Sequence, residues 1–323
     1  GYGLTDNSSQ IGKWKFPEDA VIAPGEYMLV WASGRNQKMD NEHHTNFALD
    51  AIGEPVVLSD PQGQIIDVCI LTPMPFDMSY GRRPGSDIFE YMEHPTPRGQ
   101  NGLGWPGFAE TATLGTRGGS YGQGPLVVTI NVPEGTTVHY TTDCQDPDEN
   151  SPVYSGPFEV SETTVVKARS YESGKLPGDI VTATYFLNVD HKLPIVSITS
   201  DPYYIDSDAA GIYAFGDDYS REYPFPGANF NQDWEVPAYV EMYEIDGSQV
   251  LNQGTGLRIF GAYSRAEIAK SFTLVARPEF GAEVLDHAIF PDQPFESYKS
   301  VILRNGASVW YTNKIVDTTL TSL

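Results

Sequence analysis

The sequence predicts a mainly β protein built from several small domains in a row. Many short segments alternate apolar with polar residues, and turn-forming residues separate them, since the chain holds 31 glycines and 24 prolines. The 19 tyrosines and the frequent valine and threonine runs are also typical of strands. A chain of 323 residues is long enough for two domains, or three small ones, at roughly 150 residues per domain.

Residues 1–100 are predicted to form a small β-sandwich. Residues 26–32, EYMLVWA, have the composition of a strand and follow a Pro-Gly turn. Residues 54–60 and 64–71 are two further apolar segments separated by Pro-Gln-Gly, which predicts a hairpin. No stretch of ten residues here has the periodicity of a helix, so the pattern is that of a sandwich of short strands.

A second sandwich is predicted after a glycine-rich segment. Residues 101–124 have the glycine density of a linker and domain entry, and the boundary is placed at residues 99–107. Residues 125–189 then give another series of short strands. Residues 127–132 are expected to pair with residues 137–143 across a Pro-Glu-Gly turn. Short antiparallel strands over this span predict an immunoglobulin-like sandwich.

Residues 190–323 are predicted to form a third, α+β domain. Residues 237–253 hold two apolar segments around an Asp-Gly pair, which is a strong hairpin signal. Residues 312–323 carry apolar side chains at positions that share one helix face, so the chain is expected to stop inside a helix.

A lysine falls on the inward face of one predicted strand in this domain. Within residues 264–277, Phe272, Leu274 and Ala276 alternate with polar residues, as in a half-buried strand. Extending this apolar face two residues back reaches Lys270. An inward lysine is a candidate binding residue; alternatively, its stem lies along apolar neighbours and its ammonium group reaches water.

The charge of the chain argues against two classes of partner. A formal net charge of -23 disfavours nucleic acids and anionic membrane surfaces, because both need a basic face. There is no run of about 18 apolar residues, so no membrane span is expected. Cys69 and Cys144 fall in different predicted domains, and no disulfide between them is expected.

Three sets of motifs resemble known families. GYGLTDNSSQIGKWKFP, IAPGEYMLVWASG and HHTNFALDAIGEPVVLSDPQGQIIDV, within residues 1–100, resemble the bacterial form of the lamin-tail domain. The resemblance implies an immunoglobulin-like sandwich, although the family's strand before GYGLTD is missing here. Residues 107–188, with VHYTTDCQDPDENSPVYSGPFEV and TTVVKARSY, are similar to the C-terminal sandwich of chitobiases and β-hexosaminidases. That resemblance implies an accessory module without catalytic residues.

The third set resembles the spore-coat CotH family. It consists of LPIVSITSDP, GIYAFG, NFNQDWEVPAYVEMYEIDGS and GLRIFGAYSRAEIAKSFTLVAR, within residues 192–323. The family resembles atypical secreted protein kinases, so the resemblance implies the N-terminal part of a kinase-like domain. The family's aspartate-rich motif, which holds metal and acts as catalytic base, is expected after residue 323. No catalytic residue is therefore assigned within these 323 residues.

The CotH resemblance implies a phosphate-binding role for three residues. Lys270 matches the family's lysine on the predicted strand. In the full-length parent protein such a lysine would reach the phosphates of ATP, bound with magnesium or manganese, whereas no nucleotide cofactor is expected for the 323-residue chain itself. Ser264 and Arg265 lie in the turn before Lys270 and are further candidate phosphate contacts. The alternatives are an ordinary hairpin turn and an exposed surface arginine. Arg304-Asn305 matches a family block interpreted as structural, since it holds a strand end.

Acidic and aromatic clusters give further candidate sites. Asp143, Asp146 and Asp148 lie close together in sequence and are candidate calcium ligands. Solvated acidic turns are the alternative. The adjacent pair His43-His44 is not expected to bind one zinc ion, since neighbouring strand side chains point opposite ways. The aromatic residues within the segment 203–234 form either a platform for stacking sugars or part of a hydrophobic core.

Two functions compete at this point. In the first, the chain is the targeting part of a secreted or cell-surface bacterial protein, in which sandwich modules adjoin a CotH-like kinase domain. In the second, it is a non-catalytic adhesion or glycan-binding protein. In both cases a cell-surface protein or glycan is the expected partner, and the 323-residue chain itself is expected to lack phosphotransfer activity.

Overall fold

A computed structural model describes residues 1–39, 42–50, 53–75, 78–189 and 191–305. The chain forms two compact units, Gly1–Gly107 and Phe108–Leu323. The prediction of a mainly β protein is confirmed, since strands dominate both units and the described residues hold a single short α-helix, α1 at Pro202–Asp206. No helix in the described part of the chain is long and apolar enough to cross a membrane.

The first unit consists of short, mostly antiparallel strands. Its described strands are β1 Gly3–Thr5, β2 Trp14–Lys15, β3 Val30–Trp31, β4 Gln37–Met39, β5 Glu42–His44, β6 Pro55–Ser59, β7 Ile65–Ile70, β8 Ser79–Arg82 and β9 Phe89–Met92. They form sheets of order β2-β1-β6-β7 and β3-β5-β4 and a β8-β9 ribbon. Trp14, Val57 and Met92 are buried and mark the core.

Two predictions for this unit have different outcomes. The hairpin around Pro-Gln-Gly is confirmed, because β6 and β7 pair antiparallel from Pro55 opposite Ile70 onwards. The strand predicted at residues 26–32 is wrong in extent, and only β3 remains. Its parallel pairing with β5 covers two residues, and the segment before it has no strand partner among the described residues. The length of this strand is therefore limited by the available pairing partner and not by its apolar composition.

The adjacent histidines of β5 lie in different surroundings. The His44 ring stacks on Trp31, and its Nδ1 lies 2.9 Å from the Ser33 hydroxyl. The His43 ring instead approaches Trp14. The two rings therefore do not converge on one point, as expected for neighbours on a strand.

The second unit begins with a β-sandwich. Its strands are β10 Thr113–Leu114, β11 Gly119–Tyr121, β12 Leu126–Val128, β13 Ile130–Asn131, β14 Thr137–Thr141, β15 Phe158–Val160, β16 Thr164–Tyr171 and β17 Val181–Leu187. A sheet of order β11-β17-β16-β14 accompanies the β10-β13 and β12-β15 pairs. Val128, Val166 and Tyr185 are fully buried among these strands.

The hairpin predicted between residues 127–132 and 137–143 is wrong. The first segment breaks at Thr129, so that β12 pairs with β15 and β13 pairs with β10. After the turn, β14 pairs with β16 instead. The Pro-Glu-Gly turn therefore carries the chain from one sheet to the other, as an arch in a sandwich does.

The glycine-rich segment leads into the second unit. From Phe108 onwards the chain already belongs to the second unit. Ala112 is fully buried, and β11 pairs in parallel with β17 over three residues. The glycines of this segment therefore do more than connect two domains. They also allow the backbone to pack closely against neighbouring strands.

A five-stranded antiparallel sheet follows within the same unit. Its strands are β18 Ile195–Thr199, β19 Val236–Tyr243, β20 Gln249–Phe260, β21 Ser271–Val275 and β22 Ser300–Leu303, in that order. The hairpin predicted around Asp-Gly is confirmed by the β19–β20 pairing. Short 3-10 helices occur at Asn229–Asn231, Tyr263–Ala266 and Pro278–Phe280.

The aromatic segment of residues 203–234 packs mainly into the core of this sheet. Ile212 and Phe230 are buried, and Tyr213, Tyr219 and Phe225 pack against the same cluster. This favours the core interpretation over a sugar platform for most of the segment. The helix predicted at residues 312–323 lies outside the described residues.

Candidate functional site

Lys270 immediately precedes β21, at the end of the loop that contains the Tyr263–Ala266 turn, so the prediction that it lies on the strand itself is wrong by one residue. The residue is 7% exposed. Its Nζ donates hydrogen bonds to the backbone carbonyl oxygens of Arg265 at 2.5 Å and Glu267 at 3.1 Å. The ammonium group therefore closes the loop onto the strand.

Aromatic rings form the floor beneath this ammonium group. Nζ lies 3.9 Å from the centroid of the Phe230 ring and 5.2 Å from that of Tyr213. Both rings attract a cation through their negative faces. No carboxylate of the described residues lies within 4.0 Å of Lys270 Nζ. Burial lowers the pKa of Lys270 to about 8, and the negative charge of Glu267 partly opposes this shift. We call Lys270, Arg265 and Ser264 with this floor the Lys270 centre.

Arg265 ties the same loop to the turn at Asn229–Asn231. Its Nε donates to the Gly261 carbonyl at 2.7 Å, and its Nη1 donates to the carbonyls of Asn231 and Gln232 at 3.1 Å each. Nη2 reaches the Asp233 carboxylate at 2.8 Å. The side chain of Arg265 is only 17% exposed, so the alternative of an exposed surface arginine is wrong.

Ser264 lies against the glycine that opens the loop. A Cβ on Gly261 would come within 2.2 Å of Ser264 Oγ, and the glycine has a φ of +120°. The positive φ favours glycine at this position, whereas the Ser264 hydroxyl could rotate away from a Cβ. The sequence thus brings Ser264, Arg265 and Lys270 together in one compact loop.

Asn305 holds the edge strand to this centre. The Ser271 hydroxyl donates to Asn305 Oδ1 at 3.1 Å, and the Asn305 backbone N–H donates back to Ser271 Oγ at 3.1 Å. The Asn305 side-chain amide also donates to the Ala269 carbonyl. These contacts agree with a structural interpretation of Arg304-Asn305.

The three candidate calcium ligands have separate partners. Asp146 accepts a hydrogen bond from Lys167 Nζ at 2.7 Å, and the Lys167 side chain is fully buried. Asp143 accepts from the Gln145 N–H at 3.2 Å, within its own turn. Asp148 accepts from Asn150 and Ser151, which lower the pKa of its carboxyl group. Across the described residues, no group of three or more His, Cys, Asp or Glu side chains is arranged to hold a metal ion.

The acidic loop instead connects the sandwich to the sheet. The Asp146 N–H donates to Asp201 Oδ2 at 2.7 Å, and Asp201 also caps α1 by accepting from the Tyr203 N–H at 2.8 Å. Lys167 Nζ lies 5.4 Å from the centroid of the Tyr239 ring on β19. The carboxylates therefore serve a packing contact inside the second unit.

A second contact between the sandwich and the five-stranded sheet is centred on Glu241 in β19, and the sequence analysis did not predict it. The Glu241 carboxylate is 1% exposed and accepts from the Thr184 N–H at 3.2 Å and the Thr184 hydroxyl at 2.5 Å. The Tyr243 hydroxyl and Gln249 Nε2 also donate to it. Burial raises the pKa of Glu241, while these hydrogen bonds oppose the shift.

A glycine allows the sandwich to approach this carboxylate. A Cβ on Gly118 would lie 2.5 Å from the Tyr243 hydroxyl and 3.2 Å from the Thr184 carbonyl. The only signal in the sequence was the lone glutamate on an otherwise apolar strand, VPAYVEMY.

Comparison with known proteins identifies part of this sandwich. Residues 128–185 match the family described as Fn3 associated. The match and the strand pattern support an immunoglobulin- or fibronectin-like associated domain over these residues. Such a domain indicates, at most, an extracellular multidomain protein. Among curated proteins, none matches the chain.

Proposed function

We propose that this chain belongs to a secreted or surface-attached multidomain protein whose five-stranded sheet binds the phosphate groups of a nucleotide through Lys270. The Fn3 associated match at residues 128–185 supports the extracellular, multidomain part. The motifs quoted for residues 1–100 and 192–323 support a lamin-tail-like module and a CotH-like domain. The sandwich between them is proposed to be the chitobiase-type accessory module.

One observation carries the nucleotide proposal: the Lys270 ammonium is buried without a carboxylate partner among the described residues. A buried charge is costly unless it is paired, and the lowered pKa of Lys270, about 8, reflects that cost. The two backbone carbonyls that hold Nζ carry no formal charge. A phosphate oxygen offers a stronger, charge-assisted hydrogen bond in their place.

The loop offers further contacts for such a ligand. The Ser264 hydroxyl makes no hydrogen bond within the described part of the chain and lies in the turn before Lys270. Lys270 supplies positive charge, and Ser264 supplies a donor. The Arg265 guanidinium group is already paired with Asp233, so it holds the loop in place. Magnesium or manganese would accompany the nucleotide, and the described residues offer no three-ligand metal group, so we derive no step through the ion.

Isothermal titration of this chain with ATP and magnesium tests the proposal. We expect Lys270→Met to weaken binding at least tenfold, since a charge-assisted hydrogen bond contributes about 1.5–3 kcal/mol. Arg277→Met is the matched control, because it removes one positive charge near the other end of β21, where Arg277 pairs with Glu235. Its affinity should stay within about twofold of the wild type, since charges that far from the ligand are screened.

A second candidate, a non-catalytic binding protein in which Lys270 is only a clamp, rests on the same two carbonyl contacts. The stability of Lys270→Met distinguishes the two functions. A site kept for a ligand predicts unchanged or higher stability, because an apolar side chain replaces an unpaired buried cation. A clamp predicts a loss of roughly 1–3 kcal/mol in the free energy of unfolding. Lost stability with unchanged ATP affinity would contradict the nucleotide proposal.

A further inference from the structure

A cleft of about 520 Å³ opens within the second unit, where the sandwich meets the five-stranded sheet. Its lining includes Arg117 and Thr182 on the sandwich side, and Tyr239, Gln249 and Asn252 on the sheet side. Its volume is in the range of small-molecule sites. The cleft is separate from the Lys270 centre, with which it shares no residue.

Two side-chain amides on β20 give the cleft its acceptors. Asn252 Nδ2 donates to the Thr182 carbonyl at 3.1 Å, and Gln249 Nε2 donates to the Glu241 carboxylate at 3.1 Å. Since each nitrogen is held by a protein acceptor, the orientation of each amide is fixed. The two amide oxygens accept no hydrogen bond from the described residues. The Gln253 side chain points to the opposite face of β20, where its Nε2 donates to the Val284 carbonyl at 3.1 Å.

Two hydroxyl groups give the cleft its donors. Thr182 is 3% exposed, and its Oγ1 is buried with no hydrogen-bond partner in the described part of the chain. Such an orphaned buried hydroxyl is uncommon in a folded protein and costs stability. The Tyr239 hydroxyl also makes no hydrogen bond to a described residue, and burial raises its pKa, so it stays protonated as a donor.

The position of Thr182 connects this hydroxyl to the cleft. Thr182 lies opposite Lys167 in the β16–β17 pairing, and Lys167 reaches across to the Tyr239 ring. Cross-strand partners share a face of a sheet. The Thr182 hydroxyl therefore lies on the face of the sandwich that meets β19 and β20.

The lining is almost free of formal charge. Arg117 is the one charged side chain in it, and Arg117 Nη2 donates to the Gln249 carbonyl at 3.1 Å. The chain as a whole carries a net charge of -23, so a cleft lining without a carboxylate is a local exception. Amide oxygens, hydroxyl groups and one aromatic ring match a ligand with many hydroxyl groups and apolar ring faces.

We propose that this cleft binds a neutral sugar, one or two hexose units of a glycan, through Thr182, Tyr239 and the amides of Asn252 and Gln249. The sugar hydroxyls donate to the amide oxygens and complete the hydrogen bonding of the Thr182 hydroxyl. This site is independent of the nucleotide proposal, since neither needs the other.

Nuclear magnetic resonance of the ¹⁵N-labelled chain gives the direct test. Maltose, cellobiose, lactose and N,N′-diacetylchitobiose serve as probes, each titrated to millimolar concentration. We expect at least one of them to shift the side-chain NH₂ signals of Asn252 and Gln249 with a saturable curve. The absence of any saturable shift at these signals with all four sugars overturns the proposal.

The variant Thr182→Val separates binding from folding. Valine keeps the shape of threonine and removes the orphaned hydroxyl, so the melting temperature should rise by a few degrees. The affinity for the bound sugar should fall about tenfold, the cost of one hydrogen bond to a ligand. Thr164→Val, on β16 and outside the cleft lining, is the control and should bind as the wild type does. Equal affinity in Thr182→Val and the wild type contradicts the proposal.

Discussion

Replacing Asp146 with alanine is expected to lower the free energy of unfolding of the second unit by about 3–5 kcal/mol. The Lys167 side chain is fully buried, and Asp146 is its only ion-pair partner among the described residues. Without that carboxylate, the ammonium group stays buried and uncompensated. Denaturant unfolding, followed by tryptophan fluorescence, measures the change.

Asp148→Ala is the matched control for this prediction. Asp148 lies in the same loop, but it bonds only to its own turn, so its loss should cost about 1 kcal/mol or less. Equal effects of the two variants would show that the Lys167–Asp146 contact does not join the sandwich to the sheet. Wild-type protein with and without calcium should unfold at the same denaturant concentration, since Asp146 is already paired.

Replacing Glu241 with alanine is expected to cost about 3 kcal/mol or more of unfolding free energy. The change removes the acceptor for the Thr184 N–H and the Tyr243 hydroxyl, and both groups are buried. An exposed carboxylate of the same unit, Glu159 on β15, provides the control variant Glu159→Ala. That control should change stability by no more than about 0.5 kcal/mol.

The pH dependence of stability gives a second readout for Glu241. Its folded pKa is raised above the unfolded value of 4.5, so the folded state binds the proton more tightly. The resulting stabilisation is fully present below about pH 4.5 and is lost as the pH rises through the folded pKa. The wild type should therefore gain stability relative to Glu241→Gln when the pH falls from 8 to 4, by about 1.4 kcal/mol per unit of pKa shift. A pH-independent difference would contradict a raised pKa.

The sequence predicts the pairing of neighbouring strands in this protein better than it predicts the contacts between the sandwich and the five-stranded sheet. The β6–β7 and β19–β20 hairpins were predicted because the turn residues lie next to the paired strands. The same rule failed for the turn after Asn131. Its Pro-Glu-Gly residues resemble those of a hairpin turn, but the strands on its two sides, β13 and β14, join different sheets. Turn chemistry specifies a reversal of the chain and not the sheet that each strand joins.

Lys167 shows why contacts between modules escaped prediction. It alternates with Val166 and Ala168 along β16, a pattern that places it on the solvent face of an isolated sandwich. The five-stranded sheet covers that face, and Lys167 is fully buried against it. The partner residues are distant in sequence, as Thr184 is from Glu241, so no local pattern reveals them.

The candidate site was predicted in part. Alternation along β21 placed Lys270 inside, and it is buried. The aromatic floor at Phe230 and the carbonyls that hold Nζ depend on how the loop folds back, and no spacing in the sequence specifies that. The sugar cleft was missed for the same reason, because its two walls come from different modules.

The titration of Lys270 itself tests the central claim most directly. The ¹³Cε signal of Lys270, assigned by its loss in Lys270→Met, reports the protonation of Nζ as the pH changes. We expect an apparent pKa near 8 in the free protein and a clearly higher value with saturating ATP and magnesium, because a phosphate oxygen favours the charged amine. A pKa near 10.5 in the free protein, or one that ATP leaves unchanged, would contradict a buried ammonium held for a phosphate ligand.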